Sequence, residues 1–381
     1  MEVPQMPTPL ASIEISGFRS ISSLKLDLSS EVTLLIGANG AGKSNLVDAF
    51  ELLGYTVDRR LAGHVLRNGG FSQLVHRSPR EGMSEAVAVE AWGDWNGAYR
   101  NGYRMRLTAG RDDTAILSET TYTHNERYAT PYDRALGSGA ESRLADVVST
   151  HASVDYLLGV LSGCRVFHFD DTSATAPALR RADVADSETL LSDARNLAAV
   201  LLDMKTNHAI RYAQVRRSIR NVAPYFDDFV LRPENDSVLL RWRERGLDDV
   251  FSGSALSSGT LRFISLAVLL QQPRPPATIV LDEPELGLHP AAIHQLADLF
   301  RTVGVSHRIV AATQSVTLLG QFSVDEVAVV ERNHGATTVT RPDREHLAAW
   351  LSDYSVGELW EMNLLGGRPE EGPHASSSGA R

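Results

Sequence analysis

The sequence predicts an α/β chain built on a mostly parallel sheet with helices on its faces, and three observations carry that expectation. In the last third, TLRFISLAVLLQQ, ATIVLD, AAIHQLADLFRTV and RIVAAT follow one another, and such alternation lays strands side by side with helices returning across them. Near the start, EVTLLIG is a short apolar, β-branched run of the kind buried on both faces. SNLVDAFELLGY comes next, with Leu46, Val47, Phe50 and Leu53 at helical spacing. A length of 381 residues, 43% apolar and 22% charged, supplies ample material for a core.

Element by element, residues 1–11 and 367–381 are rich in Pro, Gly and Ser and read as disordered tails, leaving 12–366 as one domain. SIEISGFRS and LKLDLSS alternate like two paired strands. Residues 84–123 read as an antiparallel section, because EAVAVEAW, YRMRLTAG and TAILSETTYT alternate and are separated by Gly- and Asp-rich turns. A helical lobe is expected from about 141 to 255, interrupted by the strand-like CRVFHF, with helical periodicity running from Ser187 to Pro224. DDFVLRPENDSVLLRWRER returns to a strand pattern, and VAVVERNHGATTVT reads as a hairpin turning at Asn333–Gly335.

Composition excludes several classes. The balance of 37 Lys+Arg against 47 Asp+Glu gives a net charge of −10, so any contact with a polyanion must be local. Only three of the basic residues are lysines: Lys25, Lys43 and Lys205. A single cysteine, Cys164, permits no internal disulfide and no multi-cysteine zinc site, and it suits a reducing cytoplasm. It begins an apolar strand and is expected to be buried and inert. No apolar run approaches the ~20 residues of a membrane span, and MEVPQMPTPLAS lacks the regions of a secretory signal.

The strongest motif is Gly37-Ala38-Asn39-Gly40-Ala41-Gly42-Lys43-Ser44, followed by Asn45. It matches GxxxxGK[ST] and lies between an apolar strand and a helix, where backbone N–H groups and the helix N-terminus can cradle phosphate. Lys43 would bridge the β- and γ-phosphates, and the Ser44 hydroxyl would ligate Mg²⁺. A second element, the strand Ala277–Leu281, ends in Asp282-Glu283-Pro284-Glu285. Asp282 is placed to hold Mg²⁺ and Glu283 to orient an attacking water. The third, Leu256-Ser257-Ser258-Gly259-Thr260, caps a helix upstream of Asp282. The fourth, Ala312-Thr313-Gln314-Ser315, follows the strand RIVAA, and Gln314 can hydrogen-bond a γ-phosphate or a water.

In this order the four elements resemble the ABC-type ATPases, whose commoner signature is LSGGQ. The opening Gly17-Phe18-Arg19-Ser20, the GANGAGKSN loop and DEPELGLHP look more narrowly like RecF/SMC-type heads, in the compact AAA_21 group of P-loop ATPases, over essentially residues 12–366. Gly69-Gly70-Phe71, FHFDDTS, APYFDDFVL and SVGELWEMNLLGGRP belong to the same likeness. The resemblance implies ATP with Mg²⁺, slow hydrolysis, and a homodimer in which Ser257, Ser258 and Gly259 of one subunit meet the ATP held by the other. It further implies a nucleotide-proximal Arg19, a switch residue at Gln314 and, at Gln73, a Q-loop residue near the metal. The insert has no heptads and no CxxC, and the 67 residues after Gln314 read as a hairpin plus helices rather than a cleavage domain. Two uses fit: a clamp on duplex DNA in repair or maintenance, or a regulatory ATPase acting on a separately encoded nuclease or toxin in phage defence. A transporter subunit is a third, and no membrane partner is expected.

Other candidates have ordinary readings beside the functional one. Gln73 is equally a plain loop glutamine. His168, Asp170 and Asp171 form either a metal cluster or a strand end followed by an Asx-type turn. His289 and His294 are five residues apart, a poor pair for one metal. Arg211, Arg216, Arg217 and Arg220 form either a phosphate-contact strip or a solvated, salt-bridged helix face.

Overall fold

Two sheets face each other across a layer of helix. The chain opens as a hairpin, β1 (Leu10–Phe18) and β2 (Ile21–Asp27), enters β3 (Val32–Ile36) and passes through the glycine loop into α1 (Lys43–Val57). After α2 (Leu61–Arg67) and a small ladder of β4 (Arg77–Ser78) with β5 (Gly82–Met83) come four longer strands. These are β6 (Ala86–Gly93), β7 (Tyr99–Ala109), β8 (Ala115–Asn125) and β9 (Tyr132–Gly139). They join the opening hairpin in one antiparallel sheet, ordered β2-β1-β6-β7-β8-β9. The section expected at 84–123 is therefore wider than its sequence pattern. It takes in the hairpin on one side and β9, an exposed edge strand without apolar alternation, on the other.

The computed structural model describes residues 8–78, 82–147 and 152–367, so most of the two expected tails lies outside the described residues. Leu10 and Ala11, assigned to the leading tail from sequence, are the first residues of β1.

The stretch 141–255 departs from the helical lobe that its periodicity suggests. It contains α3 (Ala152–Ser162), β10 (Cys164–Phe167), the short β11 (Ala182–Asp183), α4 (Leu197–Asn207) and α5 (Ala209–Val222). β12 (Phe226–Phe229), β13 (Ser237–Val238), β14 (Arg241–Glu244) and β15 (Val250–Ser252) complete it. Residues 187–196 form turns instead of helix, because Asn196 diverts their backbone groups. Its amide donates to the Asp186 and Thr189 carbonyls at 2.9 and 2.8 Å and accepts the Leu191 N–H at 2.9 Å. The helix breaks again at His208, which adopts φ −133°. Nor is β10 part of a separate lobe, since it pairs in parallel with the strand that precedes the acidic turn.

That strand is β16 (Thr278–Asp282), reached through α6 (Ser258–Gln271) and followed by α7 (Pro290–Gly304), β17 (Arg308–Ala312) and α8 (Val316–Leu319). The hairpin β18 (Val327–Asn333) and β19 (Ala336–Thr340) turns at His334 and Gly335, and α9 (Arg344–Leu351) and α10 (Val356–Glu361) end the fold. The second sheet has the order β10-β16-β17-β3-β18-β19 and is parallel except for its last strand. Its strands bury alternate side chains in two cores. Val32, Leu34 and Ile36 of β3 face the layer of α4–α7, whereas Leu35 faces α1 and the antiparallel sheet.

Since β3, β16 and β17 run parallel, their C-terminal ends open on one edge, the place where ligands bind in open α/β sheets. α1 is held there by apolar contact on both sides. Phe50, fully buried at its centre, is a measure of that wedge. Phe50→Ala is expected to cost about 3–5 kcal/mol in guanidinium unfolding, and a loss below ~1 kcal/mol would show that α1 is not the keystone between the sheets.

Candidate nucleotide site

Three loops meet at that edge: the glycine loop after β3, the acidic turn after β16, and Thr313–Gln314 after β17. The glycine loop turns so tightly that Gly42 adopts φ 109°, and a Cβ there would collide with the Thr337 hydroxyl. Lys43 is buried and arches back over its own loop, its ammonium donating to the Gly37 and Ala38 carbonyls at 2.7 and 3.2 Å. Burial pulls its pKa down, while the charges of Glu283, Asp282 and Glu285 work in the opposite direction.

The loop is buttressed from both ends of the chain. Ser20 and Thr337 hydroxyls lie 2.7 Å apart, Thr337 donates to the Ala41 carbonyl at 2.9 Å, and Asn45 donates to Ser20 at 2.6 Å. The Ala38 N–H meets the Gly367 carbonyl at 2.7 Å. Within Gly17–Ser20, then, Ser20 is the residue that bonds toward the loop. Arg19, at φ 46°, forms an ion pair with Asp48, one turn along α1 from Ser44.

At the acidic turn, Asp282 is half-buried, and burial raises its pKa, an effect the Ser44 hydrogen bond opposes and the Glu283 charge reinforces. Glu283 sits in the left-handed region at φ 43°, a strained conformation for a non-glycine residue. Its carboxylate accepts the Gln314 side-chain amide at 2.6 Å. Glu285, which sequence reasoning passed over, is more deeply placed. It accepts the Thr313 hydroxyl at 2.5 Å and the Gln314 N–H at 3.2 Å, and burial raises its pKa. It thereby ties the acidic turn to the strand that carries Gln314. Its only sequence signal was a third acid, after Pro284.

The serine-rich cap at 257–260 starts α6, with Ser257 accepting the Thr260 N–H at 3.1 Å. A Cβ on Gly259 would fall 2.5 Å from the Gly287 carbonyl, so the cap rests on the loop beyond the acidic turn. Among the described residues, no hydrogen bond joins Ser257, Ser258 or Gly259 to Lys43 or Ser44.

A second residue missed from sequence is Arg262, one turn into α6. Its buried guanidinium donates to the Phe169, Leu286 and Asp170 carbonyls at 3.0, 2.7 and 3.2 Å, joining α6, the segment after β10 and the acidic loop. Arg262→Met leaves those three acceptors without their charged donor. A loss of about 3 kcal/mol is expected in denaturant unfolding, and a change under ~1 kcal/mol would deny it the anchoring role.

Gln73 is exposed in a short turn, its side chain against Gly69. His168 faces Glu51 at 3.6 Å, Asp171 accepts the Ser173 N–H at 3.0 Å as an Asx turn, and no group of three possible metal ligands gathers among the described residues. His289 caps α7 and accepts the Ala291 N–H at 3.3 Å. Cys164 is fully enclosed, and burial pushes its thiol up to about 12. On α5, Arg216 and Arg220 are paired with Asp228 and Asp227, and Arg211 and Arg217 are exposed.

Comparison with known proteins agrees with this fold. A family model described as "AAA domain, putative AbiEii toxin, Type IV TA system" matches residues 141–320, and one described as "AAA ATPase domain" matches 9–78. The Smc head bound to the C-winged helix domain of ScpA superposes with a TM-score of 0.60 at 17% identity, covering 89% of this chain and 99% of that one. The Smc head from Pyrococcus furiosus bound to the C-terminal domain of ScpA gives 0.61 at 16%, covering 91% and 99%. The fold is that of a RecF/SMC-like ATPase head of the ABC type.

In sequence, the head is 36% identical over 84 residues to the "DNA replication and repair protein RecF" of Nocardioides sp., which is 21% of this chain and 20% of that protein. It is 38% identical over 79 residues to the "Chromosome partition protein Smc" of Methanocaldococcus jannaschii, 20% of this chain and 6% of the relative. The matched part is thus about a fifth of RecF and far less of Smc. No helix among the described residues is long and apolar enough to cross a membrane.

Proposed function

We propose that this head binds and hydrolyses ATP as a nucleotide-gated homodimer acting in DNA repair or maintenance. The observation that carries the reading is the convergence of Lys43 and Ser44 with Asp282, Glu283 and Gln314 at one sheet edge, while Ser257–Gly259 has no bond to that loop. Two ATPs would lie between two subunits, each held by Lys43, Ser44 and the N–H groups of residues 40–44 from one side. Ser257, Ser258 and Gly259 would meet each from the other side.

Mg²⁺ suits the oxygen donors of Ser44 and Asp282, because the burial and repulsion that disfavour the Asp282 anion are relieved by a hard divalent cation. When bound there it would supply neutralising charge at the phosphates. Glu283 would orient and deprotonate the attacking water, and Gln314 holds Glu283 in place for that task. Arg19 would stay near the nucleotide through Asp48, whereas Gln73 would reach the metal only after a rearrangement of its exposed turn. A reducing, cytoplasmic setting is part of the proposal.

DNA maintenance rests on the roles that name the RecF and Smc relatives, DNA replication and repair and chromosome partition. Duplex binding that appears only with ATP and weakens steeply with salt would support it. The absence of duplex binding at low salt, with and without ATP, would overturn it. The family model's mention of a toxin–antitoxin system favours a second reading, a regulatory ATPase acting on a separately encoded effector. A stable effector that copurifies with the protein, together with no DNA binding, would decide for that reading.

A further inference from the structure

We infer that the solvent face of the antiparallel sheet is a binding platform for single-stranded nucleic acid, separate from the nucleotide edge. The inner face of this sheet is buried in the core it shares with α1 and α3, through Val87, Val89, Tyr103, Met105, Leu107 and Leu117. The residues between them point outward. Along β7 these are Arg100, Gly102, Arg104 and Arg106. Gly102 lies in one cross-strand line between Trp92 of β6 and Tyr122 of β8.

A Cβ on Gly102 would sit 2.6–2.7 Å from the Trp92 ring, so this glycine is what lets the indole lie flat across β7. There it stacks on Tyr122 at 5.5 Å with an interplanar angle of 24°. The Arg100 guanidinium lies over both Trp92 and Trp95, at 4.7 and 4.8 Å. The indole N–H of Trp92 donates to one oxygen of Glu90 at 2.7 Å, the carboxylate that lies across from Arg104 on β6. At the same end of the sheet, Trp95 and Tyr128 are 45% and 68% exposed.

Fourteen of the arginines described elsewhere in this acidic chain pair with carboxylates. Arg100, Arg104 and Arg106 do not: none is in an ion pair among the described residues, and their cross-strand neighbours on β8 are His124, Thr120 and Ser118. Arg104 and Arg106 lie two residues apart, roughly 7 Å, with Arg100 four residues before Arg104 across Gly102, and guanidinium forks match phosphate oxygens. Together the row and the stacked rings offer phosphates a charged track and bases a π-surface. Single strands satisfy both demands, because their bases are free to stack. A duplex hides its bases and would leave Trp92 and Tyr122 unused, and an acidic peptide would engage the arginines alone.

The test is binding of a fluorescein-labelled 12-nucleotide oligothymidylate to the full chain, without ATP or Mg²⁺, so that nucleotide-driven dimerisation plays no part. Salt-dependent binding with tryptophan quenching is expected. Arg104→Glu with Arg106→Glu, both at exposed positions, should weaken it at least tenfold and flatten the salt dependence. Trp92→Leu should weaken it about five- to tenfold and leave the salt slope unchanged. Equal competition by a 12-base-pair duplex or by polyglutamate, or wild-type affinity in the arginine double variant, would overturn the assignment. ATP hydrolysis should be intact in the double variant, so failure here is distinguishable from failure of the ATPase reading.

Discussion

Lys43→Ala is expected to abolish ATP binding, with affinity falling at least a hundredfold in calorimetric titration. Among the described residues, the ammonium is the one cation that the glycine loop encloses, and it stands against three acids, Asp282, Glu283 and Glu285. Without it, a triphosphate entering the loop meets those carboxylates with only backbone N–H groups to offset its charge. A single charge-assisted contact to phosphate accounts for about 3 kcal/mol, which is a hundredfold in affinity. The folded chain itself should tolerate the change, since the substitution removes a desolvated charge along with its two carbonyl contacts. ATP should therefore raise the melting temperature of the wild type and leave that of the variant unmoved. Lys43→Arg should fail similarly, because a planar fork does not fit where a compact ammonium lies between loop carbonyls. An affinity within threefold of wild type in Lys43→Ala would sink the assignment of this loop to phosphate.

What the sequence made legible was local. The loop at 37–44 is contiguous, and its glycines, lysine and serine announce their geometry without reference to the rest of the chain. Asp282 and Gln314 were found for a related reason: each follows an apolar strand, and parallel strands end on one side. The residues missed act through distance. Thr337 reaches the loop across 296 positions and leaves no mark in its own neighbourhood, while Ser20, visible only as the last residue of the Gly17–Ser20 opening, meets Thr337 across 317. Arg262 was hidden inside a helix whose apolar run concealed one buried charge. The error at 187–196 has a different cause, since helical periodicity was present but Asn196 offered the backbone better partners. β9 escaped because an exposed edge strand needs no apolar alternation.

Glu283→Gln should leave ATP binding intact, slow hydrolysis by about 10²–10⁴-fold and trap a dimer. The substitution keeps the length and the backbone of a residue already held at φ 43°, and its amide oxygen can still accept from Gln314. Only the capacity to take a proton from water is lost. It also removes one of the negative charges around Lys43 and Asp282, so ATP affinity should stay level or rise. If closure is driven by ATP and reversed by hydrolysis, a variant that binds without hydrolysing accumulates in the closed state. Light scattering in saturating ATP and Mg²⁺ should then report twice the chain mass of 41.6 kDa, returning to one when nucleotide is removed. The two readouts separate the two claims. Wild-type hydrolysis in Glu283→Gln would take the general-base role from this residue while leaving the dimer open to test. A monomer at saturating ATP with hydrolysis blocked would reject the two-subunit sandwich, and the cap at Ser257–Gly259 would then have to act within its own chain.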